Sequence, residues 1–216
     1  MTLAADGFVL VPKLLSDAEC GQVAQALDAC AAPGVGSRRL LQEDWCAALA
    51  RRVMVHPEIG KALPARARAI QCTFFEKSAA RNWLVPIHQD LSIPVAGRVD
   101  HPALSGWSEK EGAWFVQPPD AVLAQLLAVR IHVDPCSPED GPLRIVPASH
   151  RLGRVDPERA VQLGRAQGVT VPARRGDALL MRPLALHASS KACGTSRRRV
   201  LHFVFGPAQL PHGLVW

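Results

Sequence analysis

Tyrosine is absent from the chain, and phenylalanine and tryptophan together supply only 5% of its residues. That scarcity argues against a nucleic-acid platform, which needs aromatic faces interleaved with basic side chains. The formal net charge of +6 does not restore such a reading, because the arginines are scattered. The excess reads as a solvated, arginine-rich surface with some preference for anionic small molecules. No apolar run reaches the length of a membrane span. The start, Met1-Thr2-Leu3-Ala4-Ala5-Asp6, lacks the basic and apolar regions of a secretory signal, so a cytoplasmic location is expected. None of the cysteines (Cys20, Cys30, Cys46, Cys72, Cys136, Cys193) forms a C-x-x-C pair, which disfavours zinc ribbons and disulfide frameworks.

With 216 residues, 48% of them hydrophobic, the chain is large enough to bury roughly 70% of its unfolded surface without a metal or disulfide staple. No repeat, low-complexity tract or linker divides it, so residues 1–216 are expected to form a single domain. Ser16 and Glu19 have the spacing of a capping box. Cys20, Val23, Ala24 and Leu27 follow at helical spacing, and Trp45, Leu49 and Val53 make a second helical stripe. From about Ile70 the pattern turns to short β-rich runs: Ile70–Phe75, Leu127–Val133, Leu143–Val146, Ala178–Met181 and Val200–Phe205. Asp134-Pro135, Glu139-Asp140-Gly141-Pro142 and Arg175-Gly176-Asp177 punctuate them. Helices followed by many short strands suggest helices packed against a sandwich or barrel. The stretch between Ala96 and Gln117 reads as a long loop, either a lid or a partly disordered insertion.

His88-Gln89-Asp90, with His187 and Arg198 far downstream, carries the chemistry. In extended chain, side chains at i and i+2 share a face, so His88 and Asp90 can grip one ion while Gln89 points away. A third ligand from His187 would complete two imidazoles and one carboxylate, the set that holds one face of iron(II) and leaves the other open. An H-x-D pair alone is weak evidence, and the chain has a second in His132-Val133-Asp134. There, His132 lies in an apolar strand and Asp134 precedes a proline at a turn, which favours a structural role. His150 and His202 read as a turn residue and a strand residue.

Four blocks resemble the phytanoyl-CoA dioxygenase-like iron(II)/2-oxoglutarate oxygenases. They are Phe75-Glu76-Lys77 with Asn82 through Asp90, Glu139 through His150, Gly176 through Ser189, and Arg198 through Phe203. Asp6-Gly7-Phe8-Val9 also resembles that family's opening. The resemblance implies a mainly β fold, a double-stranded β-helix (a cupin-like jelly-roll) with N-terminal helices packed on one sheet. It also implies His88, Asp90 and His187 as iron ligands, and Arg198 with Ser189 as the anchor for the far carboxylate of 2-oxoglutarate. A guanidinium fork suits a carboxylate and serine adds a donor. Arg197 and Arg199 should face the other way. Thr73 and Lys77 are expected beside the co-substrate, with Trp83, Gln117 and Arg130 lining the substrate pocket. Ile87, Ala148 and Ala188 depart from the family's common residues, and the absence of tyrosine removes a common co-substrate contact.

The implied activity is hydroxylation of a small-molecule C–H bond, using iron(II), 2-oxoglutarate and dioxygen and releasing succinate and carbon dioxide. An aspartate at position 90 disfavours halogenation, which would need that ligand position vacated. Val204 stands where a nucleic-acid demethylase of the superfamily would carry a second arginine, so nucleic acid is not expected as a partner. The chain is expected to act as a monomer or small homo-oligomer, without a membrane. Two alternatives from other classes remain: a non-catalytic jelly-roll that binds a small carboxylate, and a zinc-dependent hydrolase using the same ligands.

Overall fold

The computed structural model describes residues 1–30, 37–78, 80–194 and 196–216, as antiparallel sheets with few helices. The main sheet has five strands in the order β1 (Phe8–Val11), β10 (Ala178–Met181), β7 (Leu127–His132), β12 (Arg198–Gly206) and β2 (Arg68–Lys77). The second has four: β3 (Val85–His88), β11 (His187–Ser189), β8 (Leu143–Ile145) and β9 (Val169–Val171). A three-stranded sheet, β4 (Ile93–Val95), β6 (Ala113–Gln117) and β5 (Ser105–Lys110), stands at one side. The sheets do not close into a barrel; this is the open jelly-roll form of the expected fold.

Strand alternation divides the main sheet into two faces. One presents Cys72, Phe74, Val129, Ile131, Leu180, Leu201 and Phe203 to the helices Asp17–Ala29 and Asp44–Met54, which contribute Cys20, Val23, Leu27, Leu49 and Val53 to the same core. The first helix starts where Ser16 and Glu19 close a reciprocal capping box: Glu19 N–H donates to Ser16 Oγ (3.3 Å), and Ser16 N–H donates to the Glu19 carboxylate (2.7 Å). The other face carries Thr73, Lys77, Arg130, Arg198 and His202, all buried. Such polar side chains would be costly against an apolar layer, and here they line a cavity between the two larger sheets. Part of the space between the sheets is apolar, filled by Phe8, Ala128, Leu143, Ile145, Leu179 and Met181.

The expected strands appear, two of them longer than their apolar runs. β2 extends to Arg68 and Lys77, and β12 starts at Arg198, because the two strands pair along their whole length, from Arg198 opposite Lys77 to Gly206 opposite Arg68. The stretch 96–117 is not one long loop. It holds β5 and β6, joined by the two-residue turn Glu111-Gly112, with Lys110 opposite Ala113. Both turn residues have positive φ (53° and 76°), as a tight hairpin that follows strand twist requires. Trp107 and Trp114, 6.4 Å apart edge to face, brace the hairpin. The cysteines of the structure are all free thiols.

Candidate metal centre

Pairing of β3 with β11 sets His187 directly opposite His88. Asp90 lies two residues beyond the end of β3, where its N–H donates to the Pro183 carbonyl (2.9 Å). Gln89 turns away and is buried. Its amide N–H₂ donates to the Gly153 and Leu184 carbonyls (2.8 and 2.7 Å), and its oxygen accepts from Val155 N–H (2.9 Å). That clamp holds the chain so that His88 and Asp90 share one side.

The donor atoms of His88, Asp90 and His187 lie within 4.8 Å of one another, the one such cluster among the described residues. Each histidine Nε2 is 3.7 Å from a different Asp90 oxygen. Each Nδ1 faces a carbonyl two residues upstream, Pro86 for His88 (2.8 Å) and Ala185 for His187 (2.9 Å). A proton placed on Nδ1 donates to that carbonyl, which orients the ring and leaves the Nε2 lone pair for a metal. Burial pushes the Asp90 carboxyl up, but His187, His202, His88 and Arg130 together outweigh it and hold the group below its usual range. Burial likewise lowers His187, only partly offset by Asp90. Asp90 is therefore an ionised carboxylate and His187 a neutral imidazole near neutral pH, the protonation states a divalent cation needs.

A cavity of about 380 Å³ opens on this cluster, and Arg198, Lys77 and Arg130 also line it. Arg198 and Lys77 are cross-strand partners on β12 and β2. Lys77 Nζ donates to Ser189 Oγ (2.6 Å) and to the Ser190 carbonyl, and lies 5.5 Å from the Trp83 ring. Arg198 Nη1 and Ser189 Oγ both donate to the Gly141 carbonyl. Arg130 reaches over the Phe75 ring, 5.3 Å away. Burial, together with the nearby Arg198 and Arg130 charges, lowers Lys77 to about 8. Burial and Arg198 lower Arg130 to about 9. Among the described residues, Asp90 is the single carboxylate lining the cavity. So concentrated a positive field suits a dianion.

Thr73, Lys77, Trp83, Arg130, Ser189 and Arg198 thus all line one cavity with His88, Asp90 and His187. Gln117 does not. It ends β6 outside the cavity, where its side-chain oxygen accepts from Arg154 Nη1 (2.9 Å) while Phe115 takes the lining position. Arg197 and Arg199 face away from the cavity. Arg197 pairs with Glu76 and Asp28, and Arg199 with Asp134 and Asp28. Asp134 is therefore committed to Arg199, accepting from its N–H, Nε and Nη2, and the second H-x-D pair forms no metal cluster among the described residues. His202 was missed from the sequence as a cavity residue: its Nε2 is 4.0 Å from Asp90 Oδ2. Its place four residues after Arg198 on one strand, hence on the same face, was the available signal.

A family model described as phytanoyl-CoA dioxygenase (PhyH) matches residues 3–200. No curated protein matches the sequence at a significant level. Among solved structures, HygX from Streptomyces hygroscopicus, with nickel and 2-oxoglutarate bound, is similar at a TM-score of 0.67 and 18% identity, over 95% of this chain and 84% of that one. SnoN, a non-heme alpha-ketoglutarate-dependent epimerase from nogalamycin biosynthesis, is similar at 0.66 and 21%, over 98% and 81%. EctD from S. alaskensis, in its apo form, is similar at 0.71 and 16%, over 99% and 79%. At these identities the likeness is one of fold.

Proposed function

The chain belongs to the phytanoyl-CoA dioxygenase family, and on that premise we propose that it hydroxylates a C–H bond of a small molecule, using iron(II), 2-oxoglutarate and dioxygen and releasing succinate and carbon dioxide. The observation that carries this reading is the sharing of one cavity by the His88–Asp90–His187 cluster and the buried cations Arg198 and Lys77.

The residues fit both groups. His88, Asp90 and His187 offer the two-nitrogen, one-oxygen set suited to iron(II), with ring orientations fixed by Pro86 and Ala185. Arg198 and Ser189 receive the far carboxylate of 2-oxoglutarate, with Lys77 adding charge and Thr73 flanking it. The Arg198 Nε is buried without a hydrogen-bond partner, a donor that a carboxylate would satisfy. When bound, iron and 2-oxoglutarate supply the oxidising chemistry, and the protein supplies ligation, orientation and exclusion of water. Ile70, Leu91, Ile93, Phe115, Leu126 and Val204 make an apolar wall around the cavity, which favours an organic substrate with apolar surface. Asp90 keeps its ligand position filled, which favours hydroxylation over halogenation.

Oxygen-free addition of iron(II) and then 2-oxoglutarate to the protein is expected to produce the coloured absorption of a metal-bound 2-oxo acid. Admission of air should then release succinate. An iron-loaded, folded protein with no such band would overturn the proposal and leave a carboxylate-binding module or a zinc hydrolase ahead. Screening substrates for tighter coupling between succinate and an oxidised product then tests hydroxylation itself.

A further inference from the structure

Arg130 lines this cavity, and the reading above gives it no role. It is 5% exposed, yet it makes no hydrogen bond or ion pair with any described residue, and its Nε is buried without a partner. Its guanidinium lies over the Phe75 ring and feels the charges of Arg198 and Asp90. A guanidinium removed from water without a partner costs several kcal/mol, so its retention points to a ligand.

The position of Arg130 says which part of a ligand it meets. Across the main sheet, Thr73, His202 and Arg130 are register partners and form one transverse row. Arg198 and Lys77 form another, four residues away along β12, about 13 Å at the usual rise per residue. His202 Nε2, 4.0 Å from Asp90 Oδ2, places the first row level with the metal cluster. The Arg198 row lies at the opposite end, where Ser189 and Lys77 gather. Arg130 extends from the metal-level row over Phe75.

We propose that Arg130, backed by His202, receives the carboxylate at the 2-oxo end of the co-substrate, so that the cavity holds a separate guanidinium for each end of a 2-oxo diacid. This rests on the 2-oxoglutarate reading above. It has a consequence for specificity. A 2-oxo monoacid forfeits the contact with Arg198 but keeps the one with Arg130, so it retains measurable affinity.

Iron(II)-loaded protein, free of oxygen, is titrated with 2-oxoglutarate and with 2-oxovalerate, which has the same carbon count and no distal carboxylate. Chelate absorbance is the readout. Arg130→Leu is expected to weaken both ligands by a similar factor, about tenfold or more, the equivalent of about 1.4 kcal/mol. Arg198→Leu should weaken 2-oxoglutarate alone. Arg130→Lys should recover part of the loss, since it restores the charge without the fork. The metal-free Arg130→Leu protein should also melt no lower than the parent, because a buried unpaired charge has been replaced by an apolar side chain. Loss of 2-oxoglutarate affinity alone in Arg130→Leu would make Arg130 a second clamp on the distal carboxylate and overturn the proposal. Unchanged affinity for both would overturn it too, assigning the residue to the prime substrate, and a lower melting point would assign it to the fold. Absence of any chelate band in the parent protein would instead remove the 2-oxoglutarate reading beneath it.

Discussion

Lys77 carries the pH dependence expected of the site. Its ammonium is buried beside Arg198 and Arg130 and titrates at about 8, so below that pH it is charged and available to a dianion. Binding a dianion raises that value again and takes up a proton. Affinity for 2-oxoglutarate should therefore be full near pH 7 and fall as pH rises through about 8, and Lys77→Met should flatten this limb while weakening binding at pH 7. Oxygen-free chelate titrations from pH 6.5 to 9 check it. His187→Ala should abolish iron-dependent turnover and visible chelate formation while the circular dichroism spectrum persists; retained turnover would remove the residue from the ligand set. Gln89→Leu is the test of the clamp between the ligands. It strips partners from two carbonyls and one N–H, so stability should drop by about 2–3 kcal/mol, and iron affinity with it, as measured by denaturant unfolding and metal titration.

At the scale of elements, the β5–β6 hairpin supplies Phe115 to the cavity wall. Its turn depends on Gly112 at φ 76°, a conformation that costs a residue with a Cβ about 1–2 kcal/mol. Gly112→Val should lower the melting temperature by about 2–4 °C for each kcal/mol lost. The same hairpin was illegible as a pair of strands because its pattern is poor: Ser105 through Lys110 is mostly polar, and no apolar alternation announces it. Glu111-Gly112 was its one local signal. The helices and the strands β7, β10 and β12 were legible for the opposite reason, since each turns a periodic apolar face toward the core shared by the helices and main sheet.

Over the whole molecule, the large apolar core lies on the face of the main sheet away from the metal cluster, so folding and metal binding are separable. A chelator should leave the far-ultraviolet spectrum unchanged, whereas iron(II) with excess 2-oxoglutarate should raise the melting temperature. At a ligand concentration a hundred times its Kd the gain is about 2.7 kcal/mol. No helix among the described residues is long and apolar enough to cross a membrane. The candidate metal cluster of His88, Asp90 and His187 was expected from H-x-D spacing, a strand-end histidine and the family resemblance together. Gln117 was misplaced and His202 overlooked because sequence order does not say which strands face one another across a cavity.

By itself, the order of residues supplied the residue types of the candidate metal cluster, the helix start at Ser16 and the apolar faces of the long strands. All are encoded over a few neighbouring positions, by side-chain type and backbone period. Tertiary structure decided which of two H-x-D pairs could hold a metal, which arginine of 197–199 enters the cavity, and that Arg130 does so without a partner. Those outcomes depend on strand register and on competing partners such as Asp134, Asp28 and Glu76, distances that only the folded chain defines.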